Sequence, residues 1–286
     1  MADVLQMLVY GLVLGSILTL GAIGVSMLFG ILRFAHFAHG DMMTFGAYIA
    51  LSFVTGLGFP VFGALPFAIV VTVALAIAID RLVYRRLRRT QPVILLISSF
   101  GIAMALRALI QMIWGPGNHA LQKGIQIPYR VLGVAIKPDH ITIVVGAAVL
   151  VVALHLFLHR TKLGKAMRAM ADNPDLAAIT GIDNERVIAW TWGIGASLAA
   201  TAGVFLALDT HLNPMTGWHV LLMVFAATIL GGIGKVYGAI LGGLVIGVAV
   251  EMSTLMIEPA YKPAVAFAIM VAMLVARPQG LLGGRA

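Results

Sequence analysis

Long apolar runs separated by short polar stretches dominate this chain. Nine of them approach the roughly 20 residues that a helix needs to cross a bilayer at about 1.5 Å per residue. They run from Val4 to Leu32, Met42 to Leu57, Val61 to Val83, Val93 to Ile113, Ile141 to Leu158, Val187 to Leu208, Val220 to Ile233, Ala239 to Ile257 and Pro263 to Ala276. The second and seventh are short, so one of them is expected to be re-entrant or broken. The pattern predicts an all-α fold: a polytopic transmembrane helical bundle of eight or nine membrane segments in a single domain, residues 1–286. Asp3 stands where a cleaved signal peptide carries positive charge, and the first apolar run is too long for a signal core, so that run is expected to be the first span.

Composition sharpens this picture. The chain is 61% hydrophobic and 10% charged, against about 45–50% and about 25% in soluble domains. So few charges cannot cover a water-facing surface, and lipid is the solvent that suits them. With no cysteine, disulfides, thiol nucleophiles and cysteine metal sites are excluded. The net charge of +8 could indicate nucleic acid, but the cations cluster between apolar runs, as membrane topology requires. With the N-terminus outside and nine crossings, the internal loops hold fourteen Lys and Arg: Arg33, Arg81, Arg85, Arg86, Arg88, Arg89, Arg160, Lys162, Lys165, Arg168, Arg186, Lys235, Arg277 and Arg285. The external loops hold four, Lys123, Arg130, Lys137 and Lys262, and Arg107 lies within a span. That bias places the N-terminus outside and the C-terminus inside.

Two loops are long. The external one, 114–140, carries Gly115, Pro116, Gly117, Pro128 and Pro138 and is expected to be irregular. The cytoplasmic one, 159–186, has helix signals. Lys165 to Ala171 is rich in Ala and Met. Asn173 offers an N-cap, Pro174 suits the first helical position, Asp175 complements the helix dipole, and Gly181 stops the turn. Two short helices joined at Asp172–Asn173 are predicted, with Leu176 and Ile179 on one apolar face. Such a helix either rests on lipid headgroups or docks into a groove on a cytoplasmic partner.

Gly234, Gly238 and Gly242 recur every four residues, as do Gly243 and Gly247. On a helix they form a smooth stripe for close contact. A phosphate loop is excluded, because Val236 follows Gly234–Lys235 and Ala166 follows Gly164–Lys165 where Ser or Thr is required. The chain therefore shows no nucleotide site, and an ATP-driven mechanism would need its motor on another polypeptide.

His36, His39 and Asp41 could supply three metal ligands, but no fourth is identifiable. Their plainer role is to satisfy backbone groups where helices break at Gly40, with Asp41 capping the next span. Arg107 and Glu251 sit near enough to span ends to snorkel, or else they line a pathway. Ser98, Ser99 and Gly101 either expose polar groups to a solute or allow close helix contact. Asp209, His211, Asn213, Pro214 and His219 form a polar outer break like that of a discontinuous helix beside a solute path. No HExxH or GxSxG occurs, and no catalytic residues are assigned.

Four segments carry a resemblance over nearly the whole chain: Phe37 to Tyr48 (FAHGDMMTFGAY); Gly164 to Asp172 (GKAMRAMAD), continuing through Ala178 to Ile182 (AITGI); Leu230 to Gly234 (LGGIG) with Gly238 to Gly243 (GAILGG); and Arg277 to Gly283 (RPQGLLG). In this order they resemble the LivH-type permease subunits of bacterial ABC importers for branched-chain amino acids. Urea and amide permeases of the same family look similar, so the resemblance is less specific for the substrate and a urea or amide permease is the alternative. The resemblance implies a multi-pass protein of the bacterial inner membrane, paired with a LivM-type permease. Two cytoplasmic ATPase subunits would bind the ATP, the chain needing no cofactor of its own, and an extracytoplasmic binding protein would deliver the solute. The cytoplasmic loop becomes the coupling element, with Gly164, Lys165, Arg168, Asp172, Asn173, Leu176, Ile179 and Gly181 as its residues, although it departs from the general importer EAA signature. Ser98, Ser99, Gly101, Arg107, Asn213 and Glu251 are the pathway candidates. A stand-alone secondary transporter would need paired intramembrane carboxylates, and Glu251 is single. An intramembrane enzyme would need a nucleophile beside a base, and none is visible.

Overall fold

The computed structural model describes residues 2–88, 90–121, 127–131 and 133–283; Arg89, Lys123 and Arg285 from the charge count lie outside the described residues. The helices are α1 (Ala2–Leu32), α2 (His39–Leu57), α3 (Val61–Ile79), which continues through a π-turn (Asp80–Tyr84) into α4 (Arg85–Leu87), α5 (Pro92–Trp114), α6 (Pro138–Arg160), α7 (Lys162–Asp172), α8 (Pro174–Ile179), α9 (Asn184–Asp209), α10 (Thr216–Gly231), α11 (Val236–Ser253) and α12 (Lys262–Ala276).

Among the described residues, seven helical stretches are long and apolar enough to cross a membrane: Asp3–Leu32, Val61–Leu87, Pro92–Trp114, Pro138–Arg160, Asn184–Asp209, Val236–Ser253 and Pro259–Ala276. Two further apolar helices outside that set, α2 and α10, correspond to the two short segments of the sequence. Burial sorts the bundle. The apolar windows of α1 and α9 are 89% and 78% buried, whereas those of α3, α5, α6 and α12 lie between 11% and 28%. A helix apolar all round belongs in an interior, and α1 is such a helix. It is sheathed by α9, α10 and α11, while the outer helices turn broad apolar faces outward.

Glycine lets the inner helices approach. The stripe expected on one helix face is divided in the structure. Gly238 and Gly242 abut Gly231 and Ala227 of α10, while Gly243 and Gly247 abut Thr19 and Gly15 of α1. Gly234 is not on the helix at all: it takes φ +80° in the turn before α11, against Gly30. The reason is geometric, since residues 238/242 and 243/247 point to different sides of a helix with 3.6 residues per turn.

The bundle has two polar ends. At one, the loop 114–140 holds a small antiparallel hairpin, β1 (Tyr129–Val131) with β2 (Val134–Ile136), where an irregular loop was expected. Gly133 at φ +82° makes its turn. Gln6 ties the hairpin to α1, donating to the Ala135 carbonyl at 3.0 Å and accepting from its N–H at 2.8 Å. At the opposite, basic end, Arg33 donates to the carbonyl of Ala171 (2.8 Å). There Arg88 grips Asp80 through both carboxylate oxygens (2.8 and 2.6 Å) and reaches Glu185 at 2.6 Å, joining the π-turn to α9. Asp80 keeps only 7% side-chain exposure. Arg88→Ala would strand that carboxylate, and a loss of about 3 kcal/mol is expected, read as a lowered thermal midpoint of the protein in detergent.

Candidate functional site

The chain leaves α1 through Arg33, which adopts φ +58°, a left-handed conformation uncommon outside glycine. Residues 33–38 then turn back into the bundle. The N–H of Phe37 donates to Ser99 Oγ (3.1 Å), and Ser99 in turn donates to the Leu96 carbonyl (2.8 Å). Helix α2 starts at His39 in a fully buried position. Its first turn lies against the first turn of α10: Gly40 and Gly217 meet backbone to backbone, with no room for a Cβ at either. Thr44 Oγ1 accepts from the Gly217 N–H (2.9 Å) and donates to the Gly40 carbonyl (3.2 Å).

Asp41 does not cap α2, contrary to the sequence-based expectation. The N-cap is Ala38, without a side-chain bond, and the Asp41 carboxylate accepts from Nε (3.0 Å) and Nη2 (3.1 Å) of Arg107. A carboxylate with no exposed surface needs a full countercharge, and a planar guanidinium supplies it bidentately. Arg107 therefore turns inward and does not snorkel. Its Cζ lies 4.7 Å from the centre of the Trp218 ring, a cation–π contact. Phe100 contacts Trp218 (5.7 Å between centroids), and Phe37 contacts Phe225 (5.1 Å) and Phe100 (6.4 Å). Phe100, Trp218 and Phe225 belong to α5 and α10, whose outward face exposes Phe100, Ile97, Met104 and Leu222, and Phe37 reaches them from the segment before α2.

The other pathway candidates are dispersed. Ser98 bonds back to the Ile94 carbonyl (2.8 Å), Ser99 is buried under Phe37, and Gly101 faces open space. Asn213 braces the entry to α10, its Oδ1 accepting from Met215 N–H (2.9 Å) and its own N–H donating to Thr216 Oγ1 (2.8 Å). Glu251, in the last turn of α11, accepts from Lys262 Nζ (2.6 Å) and does not join Arg107. His36 meets Tyr84 Oη (3.2 Å) and the edge of Trp192, whereas Asp41 is turned to Arg107. Among the described residues, no three His, Cys, Asp or Glu gather to hold a metal. Sequence reasoning missed Trp218, Phe37, Phe100 and Phe225, which have no common spacing. The one available signal was the carboxylate of Asp41, a second buried charge able to answer Arg107.

The second polar site is the α7–α8 pair. Thr161 Oγ1 accepts from Gly164 N–H (2.9 Å) at the start of α7, and Gly164 sits so close to Phe157 and Leu158 that a Cβ would overlap their backbone. Met167 and Met170 anchor α7, leaving Lys165, Arg168 and Asp172 outside. Asn173 Oδ1 accepts from the N–H groups of Asp175 (3.1 Å) and Leu176 (3.0 Å), and Gly181 takes φ +88° after α8. Ala177 faces inward, while Leu176 and Ile179 are 58% and 82% exposed on so short a helix. Asn173→Ala is expected to weaken α8 by about 1 kcal/mol, seen as faster amide exchange across residues 174–179.

Comparison with known proteins bears directly on this architecture. The family described as branched-chain amino acid transport system / permease component matches residues 7–274. The chain belongs to this family. Among similar proteins, the permease is 35% identical over 298 residues to the high-affinity branched-chain amino acid transport system permease protein BraD of Pseudomonas aeruginosa, covering 98% of this chain and 95% of that one. It is 33% identical to LivH of Escherichia coli strain K12, with 83% and 82% covered. It is 28% identical to a probable LivH of Methanocaldococcus jannaschii, with 80% and 75% covered. Its fold is also similar to that in the structure of PsaBC from Streptococcus pneumoniae in complex with Fab, at a TM-score of 0.53 and 15% identity over 98% of this chain and 93% of that one. The permease is a multi-pass membrane protein, and in this family transport subunits are not themselves enzymes.

Proposed function

We propose that this permease moves branched-chain amino acids, leucine, isoleucine and valine, across a bacterial cytoplasmic membrane as one of two permease subunits in an ATP-driven importer. The observation that carries the reading is the family match along the length of the chain, together with its full-length likeness to BraD. All nine long helices, α2 and α10 included, lie in the membrane in this reading. The basic end, with Arg33, Arg88, Arg160, Lys235 and Arg277, faces the cytoplasm, and the hairpin end faces outward.

Two cytoplasmic ATPases would contact α7 and α8. The exposed Leu176 and Ile179 fit the helix-in-groove mode of docking better than a helix lying passively on headgroups. A LivM-type second permease would cover the face of α5 and α10, enclosing a path past Phe100, Trp218 and Arg107. A binding protein would load that path from the hairpin end. Closure of the ATPases would move α7–α8, and the inner helices would rock at their glycine contacts to open the path inward.

Gentle purification from the native membrane, followed by reconstitution into vesicles, tests this. Recovery of two ATPases and a second permease, with ATP-dependent leucine uptake, is the expected result. Uptake of urea or short amides in place of leucine would move the permease to that branch of the family. Uptake by the isolated chain on an ion gradient would overturn the ATP-driven mechanism.

A further inference from the structure

Resting on that reading, we propose that Arg107 receives the carboxylate of the passing solute through its free Nη1 edge, with Asp41 and Trp218 as positioning residues that hold the guanidinium in place. Two of its three nitrogens, Nε and Nη2, are committed to Asp41. Nη1 makes no hydrogen bond among the described residues, and the Arg107 side chain keeps 16% exposure while Asp41 keeps none. The guanidinium is thus gripped from behind, laid against an indole at 4.7 Å and left with one donor edge unused.

Stability alone does not account for this arrangement. Taking an ion pair out of water usually gains nothing over apolar side chains of the same volume, and such charges inside membrane helices mark solute paths by default. The charge balance fits an amino acid. Asp41 cancels the formal charge of Arg107, so a zwitterion of zero net charge meets a site of zero net charge and is not trapped there. The guanidinium edge still offers directional N–H donors to a carboxylate. Phe37, Phe100, Trp218 and Phe225 provide apolar and aromatic surface beside it for a branched side chain.

The test uses the complete importer in vesicles, with preloaded binding protein and labelled leucine. Arg107→Lys keeps a positive partner for Asp41 but loses the planar fork, and leucine uptake is expected to fall at least about tenfold with the subunits still co-purifying. Exchanging the charges, Asp41→Arg with Arg107→Asp, restores a pair and the co-purification of subunits but puts a carboxylate on the accessible side, so uptake stays lost. Uptake recovered by the exchange would make the pair merely structural and overturn the proposal, as would wild-type uptake by Arg107→Lys. In both of those cases the importer reading survives. Absence of leucine uptake by the wild-type importer overturns the reading and this proposal together.

Discussion

An importer carrying Leu176→Asp and Ile179→Asp together is expected to lose more than about nine-tenths of its solute uptake, since burying two uncompensated carboxylates in an apolar contact costs several kcal/mol. The permease itself should fold normally. Both side chains point away from the bundle, and the contacts that hold α8, the Asn173 cap, the inward Ala177 and the bond from Asn184 Nδ2 to the Pro174 carbonyl (3.1 Å), are untouched. Stimulated ATP hydrolysis and uptake are measured side by side in vesicles, with the thermal midpoint of the purified permease as control. Normal uptake with normal stimulation would remove α8 from the coupling element. Unchanged uptake with altered lipid association would return it to the headgroup surface.

Gly203→Val is expected to be the most damaging single change in the bundle interior. A Cβ there would overlap the carbonyl of Met43, and a backbone atom of α2, near its start, cannot move aside as a side chain can. Overpacking of this kind costs about 1–3 kcal/mol where neighbours yield, and here the helices must part. Little monodisperse protein should be recovered by size-exclusion chromatography in detergent. Gly56→Val is the matched control, because nothing lies within 4 Å of its Cβ position, and its yield should equal that of the unmodified chain. Equal yields for both variants would mean that α2 and α9 do not meet as described.

Much of the scaffold was legible because apolar length and cap chemistry are local properties. Asn173, Pro174 and Gly181 delimit α8 as their types demand, and the apolar runs locate the long helices to within a few residues. What the sequence did not disclose depends on pairings across the bundle. Asp41 reads locally as a cap, and only the approach of α5 makes it the partner of an arginine 66 residues away. The glycines of α11 read as one stripe until α1 and α10 take opposite flanks. The aromatic rings around Arg107 come from α5, α10 and the segment before α2, so no window of sequence contains them together. The hairpin in 114–140 was hidden behind its prolines and glycines, because a three-residue strand leaves almost no periodicity to detect.

The burial of α1 also sets an order of events during synthesis. Its small-residue faces are matched mainly by α11, and Thr19 finds the carbonyl of Ile240 (3.3 Å) across 221 residues of chain. Helix α1, made well before α11, is therefore enclosed late, and contacts this distant are slow to form. Until α11 enters the membrane, α1 must wait in lipid or beside an insertion factor, exposed to membrane proteases. A chain stopped short of α11 would have α3, α5 and α6 in place while one flank of α1 stayed uncovered, so quality control should discard it even though most of its hydrophobic segments had been inserted.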